Sequence, residues 1–219
     1  MKLKFYSVIF CLINSILLFA RGGGSSSSSS GKGGFNPLSL AYILIAVAFY
    51  FMVRIRRKQA KKVIEESSDP SWDIDYLKTL TEKIFFDFQD AWMKKDLTLI
   101  QSRVTYNFYC FQQPKINELV NKKQTNKLDL IFIHSIDIVS SKDYKNDNLD
   151  SFSAIIKGKM IDYIISDRSY EVIFGNSKKQ EPFTDYYLFI RNNNTWLLNK
   201  VVNEPELSYI LDAKSYKEV

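Results

Sequence analysis

Residues 183–202 read FTDYYLFIRNNNTWLLNKVV, and this stretch decides the fold class of the 219-residue chain. Phe183–Arg191 and Thr195–Val202 are rich in the aromatic and β-branched residues that favour strands. Between them stand three asparagines, at 192–194, which tolerate the positive φ angles of tight turns. The stretch therefore predicts an antiparallel β-hairpin.

Three more strands are predicted upstream of the hairpin. Short runs rich in β-branched and aromatic residues predict strands over 128–139, 152–165 and 170–174. The polar segment 140–149 predicts a loop between the first two. Together with the hairpin, these strands form an antiparallel meander.

Helical spacing of apolar residues comes before the strands. It predicts an amphipathic helix from Asp73 to Trp92. Asp96 and Thr105 are residue types that cap helix N-termini, so they predict two more helices, the second of which contains Pro114. Helices followed by an antiparallel meander predict an α+β fold, with the helices packed on a curved sheet.

An apolar run nearer the N-terminus predicts a transmembrane helix. Residues 35–53 carry no charge, and at about 1.5 Å per residue they match a hydrocarbon core of about 30 Å. A basic cluster follows directly, and the positive-inside rule then places the main domain in the cytoplasm. The cluster consists of Arg54, Arg56, Arg57, Lys58, Lys61 and Lys62.

The first twenty residues have the layout of a secretory signal peptide. Lys2 and Lys4 precede an uncharged apolar run that ends at Ala20. Cleavage after Ala20 would leave a single-pass protein, whereas an uncleaved segment would make a membrane hairpin. Both alternatives leave the main domain in the cytoplasm.

The chain therefore divides into six predicted segments. They are a signal peptide or first membrane segment (1–20), a Gly/Ser-rich flexible tether (21–34), a transmembrane helix (35–53), a basic juxtamembrane segment (54–69), a globular domain (70–205) and a C-terminal tail (206–219).

The net charge of +6 belongs to the membrane end. Residues 1–62 hold ten of the 30 basic side chains and no acidic one, so residues 63–219 hold 20 basic and 24 acidic side chains, a net charge of −4. Direct nucleic-acid binding, which needs a basic surface, is therefore not expected.

Several short motifs of the predicted domain resemble one family. They are Asp69-Pro70 with Trp72-Asp73, Phe85, Gln89, Ala91-Trp92, Asp96, Thr105 with Tyr109, Met160–Tyr163, and Phe183–Arg191 with Trp196–Leu198. In this order and spacing they resemble the C-terminal domain of the forty-four-kilodalton subunit of the mitochondrial inner-membrane translocase. That family includes bacterial membrane-anchored relatives and a mitochondrial ribosomal protein.

The resemblance implies a cone-shaped fold like that of nuclear transport factor two. It also implies contact with anionic lipid. Tyr187 and Asp185 stand where the family usually has Trp and Glu, and the long basic helical region that holds the chaperone in the mitochondrial subunit is missing. A chaperone-tethering role is therefore not carried over.

Two sets of candidate site residues follow. The basic cluster from Arg54 to Lys62 is the candidate contact for anionic lipid headgroups. Asp162 with Tyr163, and Asp185 with Tyr186, are the candidates for a ligand pocket, in which burial would raise the pKa of a carboxyl group. The simpler interpretation of these aspartates is structural, and Phe85 and Trp92 are expected in the core. His134 is the only histidine, so we expect no catalytic group, cofactor or metal ion.

The sequence therefore predicts a membrane-anchored interaction module and not an enzyme. Its cytoplasmic domain would bind a protein partner, anionic lipid or both, in membrane protein transport or biogenesis. Two alternatives stay open: a small-molecule enzyme or binding protein with an apolar pocket around Asp162 or Asp185, and a ribosome or nascent-chain tether.

Overall fold

The computed structural model describes residues 37–218, with side chains described at Ala41 and from Ile43 onward. The predicted signal segment and tether lie outside this range. Four α-helices are described: α1 (Pro37–Glu66), α2 (Ile74–Met93), α3 (Tyr106–Lys122) and α4 (Leu207–Asp212). Two 3-10 helices cover Leu97–Arg103 and Asp147–Leu149. The strands are β1 (Gln124–Asp143), β2 (Ser151–Ser166), β3 (Val172–Gly175), β4 (Glu181–Asn192), β5 (Thr195–Asn203) and β6 (Tyr216–Lys217).

Three side chains cap helix N-termini: Asp73, and the predicted caps Asp96 and Thr105. Asp73 accepts a hydrogen bond from the Tyr76 N–H at 2.7 Å, and Thr105 accepts one from the Phe108 N–H at 3.1 Å. Asp96 caps the first 3-10 helix through the Thr98 N–H at 3.0 Å. The α+β fold, with helices packed on a curled antiparallel sheet, is confirmed.

The sheet has the order β5-β4-β2-β1-β6, and β3 pairs with β2 outside this path. All pairings are antiparallel except that of β6 with β1. β1 is longer than predicted, because it continues to Asp143 through residues expected to form a loop. Register shifts interrupt its pairing with β2, and such bulges bend strands and increase their twist.

Gly158 of β2 pairs with Ile133, beside one of these register shifts. A Cβ atom there would stand 2.4 Å from the Phe132 carbonyl oxygen and 2.7 Å from the Phe183 ring. Only glycine lets the two strands and the Phe183 ring approach this closely.

The main core lies between the sheet and helices α2 and α3. It holds Phe85, Phe88, Phe152, Tyr187 and Phe189, all buried. Phe152 and Phe189 stack with their ring centres 4.5 Å apart. A second cluster on the opposite face of the sheet contains Ile155, Tyr186 and Ile210 of α4. Helices therefore cover both faces of the sheet.

Helix α1 contributes to this packing. Residues 48–219 form one compact unit, which begins inside the predicted membrane span. Val53 is buried in the second cluster, while Ala60 and Ile64 are buried in the main core. The predicted juxtamembrane segment thus supplies core residues, and the predicted C-terminal tail supplies α4 and β6.

The predicted membrane span starts at Phe35, before the described residues. Within the part of the chain that is described, we find no helix long and apolar enough to cross a membrane.

Candidate functional site

A cavity of about 260 Å³ lies between helices α2 and α3 and the sheet. Phe88 and Trp92 form its aromatic wall, and strands β1, β2 and β5 form the other side. Its polar lining groups are Gln89, Gln112, Lys115, Asn126, Asp162 and Asn203. The predicted pocket was apolar, whereas this lining is half polar.

Asp162 is the predicted site residue that lines the cavity. Asn126 on the neighbouring strand donates to its Oδ1 atom at 2.6 Å. Partial loss of water contact raises the pKa of the Asp162 carboxyl group, against the effect of this hydrogen bond, and the nearby charge of Glu181 raises it further.

Asp185 lies behind the lining and is 1% exposed. Asn203, its direct partner in the β4–β5 ladder, donates to Oδ1 at 2.9 Å. Its Oδ2 atom has no hydrogen-bond partner among the described residues. Burial raises the pKa of Asp185 to about 6, and the charges of Glu204 and Asp162 contribute. An electrostatic interaction therefore links the two predicted aspartates.

The two predicted tyrosines do not join this site. Successive strand residues point to opposite faces of a sheet, so each tyrosine faces away from the aspartate before it. The Tyr163 hydroxyl donates to Asp129 at 2.8 Å. The Tyr186 hydroxyl lies 2.7 Å from that of Ser153, in the second cluster. There Tyr186 lines a separate, open hollow of about 510 Å³ beside α4.

Sequence reasoning missed two residues of the cavity. Phe85 is buried as expected, but Trp92 is only half-buried and lines the cavity. Gln112 is 5% exposed and makes no hydrogen bond to a described residue. The sequence contained a signal for Gln112, because it lies four residues from both Phe108 and Ile116. A polar residue at that position interrupts the apolar face of the helix.

The basic residues of α1 fall into two groups. The Arg56 side chain donates to the Ile210 carbonyl at 3.0 Å and to the Leu211 carbonyl at 2.5 Å, so it caps the C-terminus of α4. Arg57 pairs with Asp137 at 3.0 Å. Lys61 and Lys62 pair on the helix surface with Glu65 and Glu66.

Arg54 and Lys58 are exposed and form no ion pair with a described residue. They lie one helical turn apart, and Lys62 lies one turn further on the same face. The predicted lipid-contact set is thus partly engaged by the domain itself.

Among the residues that the structure describes, one group of three carboxylates lies close enough together to hold a cation: Asp69, Asp147 and Asp150. Arg191 occupies the space between them, because its guanidinium pairs with all three. The group is therefore an ion-pair network that ties the β4–β5 hairpin to the β1–β2 loop and to the approach to α2.

A lone cysteine between aromatic residues, such as Cys110 between Tyr109 and Phe111, is expected to be a buried apolar residue, and for Cys110 that expectation is wrong. It is an exposed free thiol on α3, beside the Tyr106 hydroxyl.

The class of the protein follows from this geometry: an α+β domain with a small, partly polar cavity between its helices and a curved sheet. The sequence model of the Tim44-like domain matches residues 57–203, more than half of the chain. The chain belongs to this family, and the predicted resemblance is confirmed.

No curated protein matches the chain. Among solved structures, the intermembrane-space region of the chloroplast protein ARC6 is similar at 8% sequence identity with a TM-score of 0.36. That match covers 55% of this chain and 94% of the ARC6 chain.

Proposed function

We propose that this protein is a membrane-anchored interaction module of the Tim44-like family. Its domain binds a protein partner, anionic lipid or both at the cytoplasmic surface of a bilayer, in membrane protein transport or biogenesis. The family membership supports the link to membranes and protein transport. The amide and carboxylate groups of the cavity lining can hydrogen-bond a ligand, which supports a binding role.

The packing of α1 is the observation that carries this proposal. The compact unit starts at residue 48, inside the apolar run, and Val53 is already part of a buried cluster. The basic residues that follow the apolar run thus belong to a helix packed into the domain, which suits a domain that functions at a bilayer surface.

Topology is tested with the exposed thiol of Cys110. The full-length chain, with Cys11 replaced by serine, is labelled with a membrane-impermeant maleimide in right-side-out and inside-out vesicles. We expect labelling only in inside-out vesicles, and carbonate extraction should leave the protein in the membrane pellet. A Cys110→Ser variant gives the background. Labelling from the outside, or release by carbonate, would refute the anchored cytoplasmic arrangement.

Lipid contact is assigned to the exposed basic face of α1. We expect photoreactive anionic phospholipid to crosslink to the full-length chain in nanodiscs, and Arg54→Gln with Lys58→Gln to reduce this crosslinking severalfold. Each cation near an anionic surface contributes on the order of 1 kcal/mol. The matched control is Lys178→Gln with Lys179→Gln, which removes the same charge elsewhere. Equal crosslinking by both double variants would count against headgroup contact at α1.

Protein contact is assigned to the outer side of α3. Tyr106 and Phe111 are 81% and 65% exposed on this helix, and exposed aromatic side chains are frequent in interfaces. Crosslinking of the full-length chain in its native membrane should recover a partner that Tyr106→Asp with Phe111→Asp loses. Tyr170→Asp, at another exposed aromatic residue, should retain it. The same recovery by all three forms would place the interface elsewhere.

A further inference from the structure

The cavity beneath the sheet has negative charge that the protein does not neutralise. Neither Asp162 nor Asp185 forms an ion pair with any basic side chain that the structure describes. Both accept hydrogen bonds from asparagine amides, which are neutral. Glu181 and Glu204 lie close enough to raise the pKa values of the two aspartates. Asp162 is exposed to the cavity and Asp185 is buried behind it, so a cation in the cavity would be attracted by both carboxyl groups.

Lys115 is the single basic group of the described lining, and it does not supply this charge. Its ammonium nitrogen lies 4.3 Å from the centre of the Phe111 ring, and it forms no ion pair with a carboxylate in the described residues. Desolvation lowers the pKa of Lys115. Lys115 therefore lines the same cavity as Asp162 without forming an ion pair with its carboxylate.

The uncharged part of the lining also suits a cation with an organic body. Trp92 and Phe88 present aromatic surface, whose negative faces attract cations. Gln112, nearly buried and without a partner among the described residues, offers a carbonyl oxygen to an N–H donor. A ligand that donates a hydrogen bond to this oxygen would supply the partner that the Gln112 amide does not find within the described residues.

We propose that this cavity binds a small organic cation, an ammonium or guanidinium group on a short carbon chain. The cationic group would lie between Asp162 and Gln112, with Asp185 behind Asn203 adding a second negative charge. The carbon chain would contact Trp92 and Phe88. A metal ion fits less well, because the cavity aspartates do not converge with a third carboxylate in the described residues. This binding site goes beyond the proposed membrane and partner contacts and does not depend on them.

The test is calorimetric titration of the full-length chain in detergent with four probes of similar size. Butylammonium and butylguanidinium carry the charge, while butanol is neutral and butyrate is negative. We expect saturable binding of the two cations, at least tenfold tighter than that of butanol or butyrate. Equal binding of butanol would show an apolar cavity, and tighter binding of butyrate would show an anion site at Lys115. Either result, or no saturable binding at millimolar concentrations, overturns the proposal.

Two variants and a control locate the site. Asp162→Asn and Gln112→Leu should each weaken cation binding severalfold or more, while the circular dichroism spectrum stays unchanged. Asp129→Asn removes the same charge from an exposed carboxylate that bonds Tyr163 instead, and it should leave binding intact. Equal losses in Asp129→Asn and Asp162→Asn would reflect the net charge of the domain and would refute the site.

Discussion

Arg191 donates through Nη1 to the Asp150 carboxylate at 3.1 Å, and the two residues are 5% and 1% exposed. The same guanidinium pairs with Asp69 and Asp147. Burial would raise the pKa of Asp69, but hydrogen bonds from the Ser71 backbone and from Arg191 outweigh it and lower that pKa. Burial raises the pKa of Asp150 in spite of its arginine. The network thus holds the buried carboxylate of Asp150, whose negative charge is balanced by the positive charge of Arg191.

Replacing Arg191 by leucine should therefore destabilise the domain strongly. Removing one partner of a buried ion pair leaves the other charge buried alone, which costs about 3–5 kcal/mol. The free energy of unfolding of the full-length chain in detergent measures this. Arg103→Leu breaks the half-exposed pair with Asp87, which has a distance of 2.8 Å, and should cost at most about 1 kcal/mol. A similar loss of unfolding free energy in both variants would contradict the expectation that the buried ion pair contributes more than the half-exposed one.

A methyl group at residue 158 should be poorly tolerated. The Cβ atom of Gly158→Ala would overlap the Phe132 carbonyl oxygen at 2.4 Å, and a strand backbone cannot move aside as a flexible side chain can. Overpacking of this kind typically costs about 1–3 kcal/mol. The melting temperature should fall clearly for Gly158→Ala and hardly at all for Ser151→Ala, which changes a half-buried residue on the same strand. A Gly158→Ala variant as stable as the wild type would mean that the sheet bends less than described.

Asp185 should make stability depend on pH. Its pKa rises from 3.8 to about 6 on folding, so the folded state binds the proton more tightly than the unfolded state. The contribution of Asp185 to stability is therefore largest below pH 4 and is lost as pH rises through 6.

Asp185→Asn should remove this loss. The free energy of unfolding of the variant minus that of the wild type should be higher at pH 8 than at pH 4, by up to about 3 kcal/mol. This is the free-energy equivalent of a shift of about two pKa units. Denaturation at several pH values measures the difference. The same difference at pH 4 and at pH 8 would refute the buried charge of Asp185.

Loss of the Arg56 cap should loosen α4. Arg56→Gln removes the guanidinium that holds the Ile210 and Leu211 carbonyl groups, and cations near a helix C-terminus contribute about 0.3–1 kcal/mol. Hydrogen exchange of residues 207–213 should accelerate severalfold, with little change in the sheet. Lys58→Gln, on the exposed side of the same helix, should leave exchange in α4 unchanged. Equal exchange in the two variants would contradict the capping contact.

The local elements were predictable because their determinants are local. Asp73, Asp96 and Thr105 predicted where three helices start, and the asparagines at 192–194 predicted the hairpin turn. Asn193 and Asn194 do adopt positive φ angles, of 46° and 62°. The placement of Tyr163 and Tyr186 in one pocket with Asp162 and Asp185 conflicts with the strand pattern itself, because neighbouring strand residues point to opposite faces of a sheet.

What could not be predicted depends on contacts between distant segments. Val53, Ala60 and Ile64 have helical spacing, but the arginines and lysines between them obscure the apolar stripe and predict a basic juxtamembrane segment instead of core residues. The cavity is lined by Gln112 of α3 and Asp162 of β2, which are 50 residues apart, and no local pattern predicts that they share a cavity. The exposure of Cys110 likewise depends on which face of α3 the sheet covers.

The burial of Ala60 and Ile64 has a practical consequence for dissecting the protein. A fragment started at residue 70, the boundary that the sequence predicts, would lack these core side chains and the Arg56 cap of α4. Truncations of that kind would unfold for structural reasons, and their inactivity would say nothing about a requirement for membrane attachment. A fragment started at Ala48 keeps the compact unit whole, so it is the fair starting point for grafting the domain onto a foreign anchor.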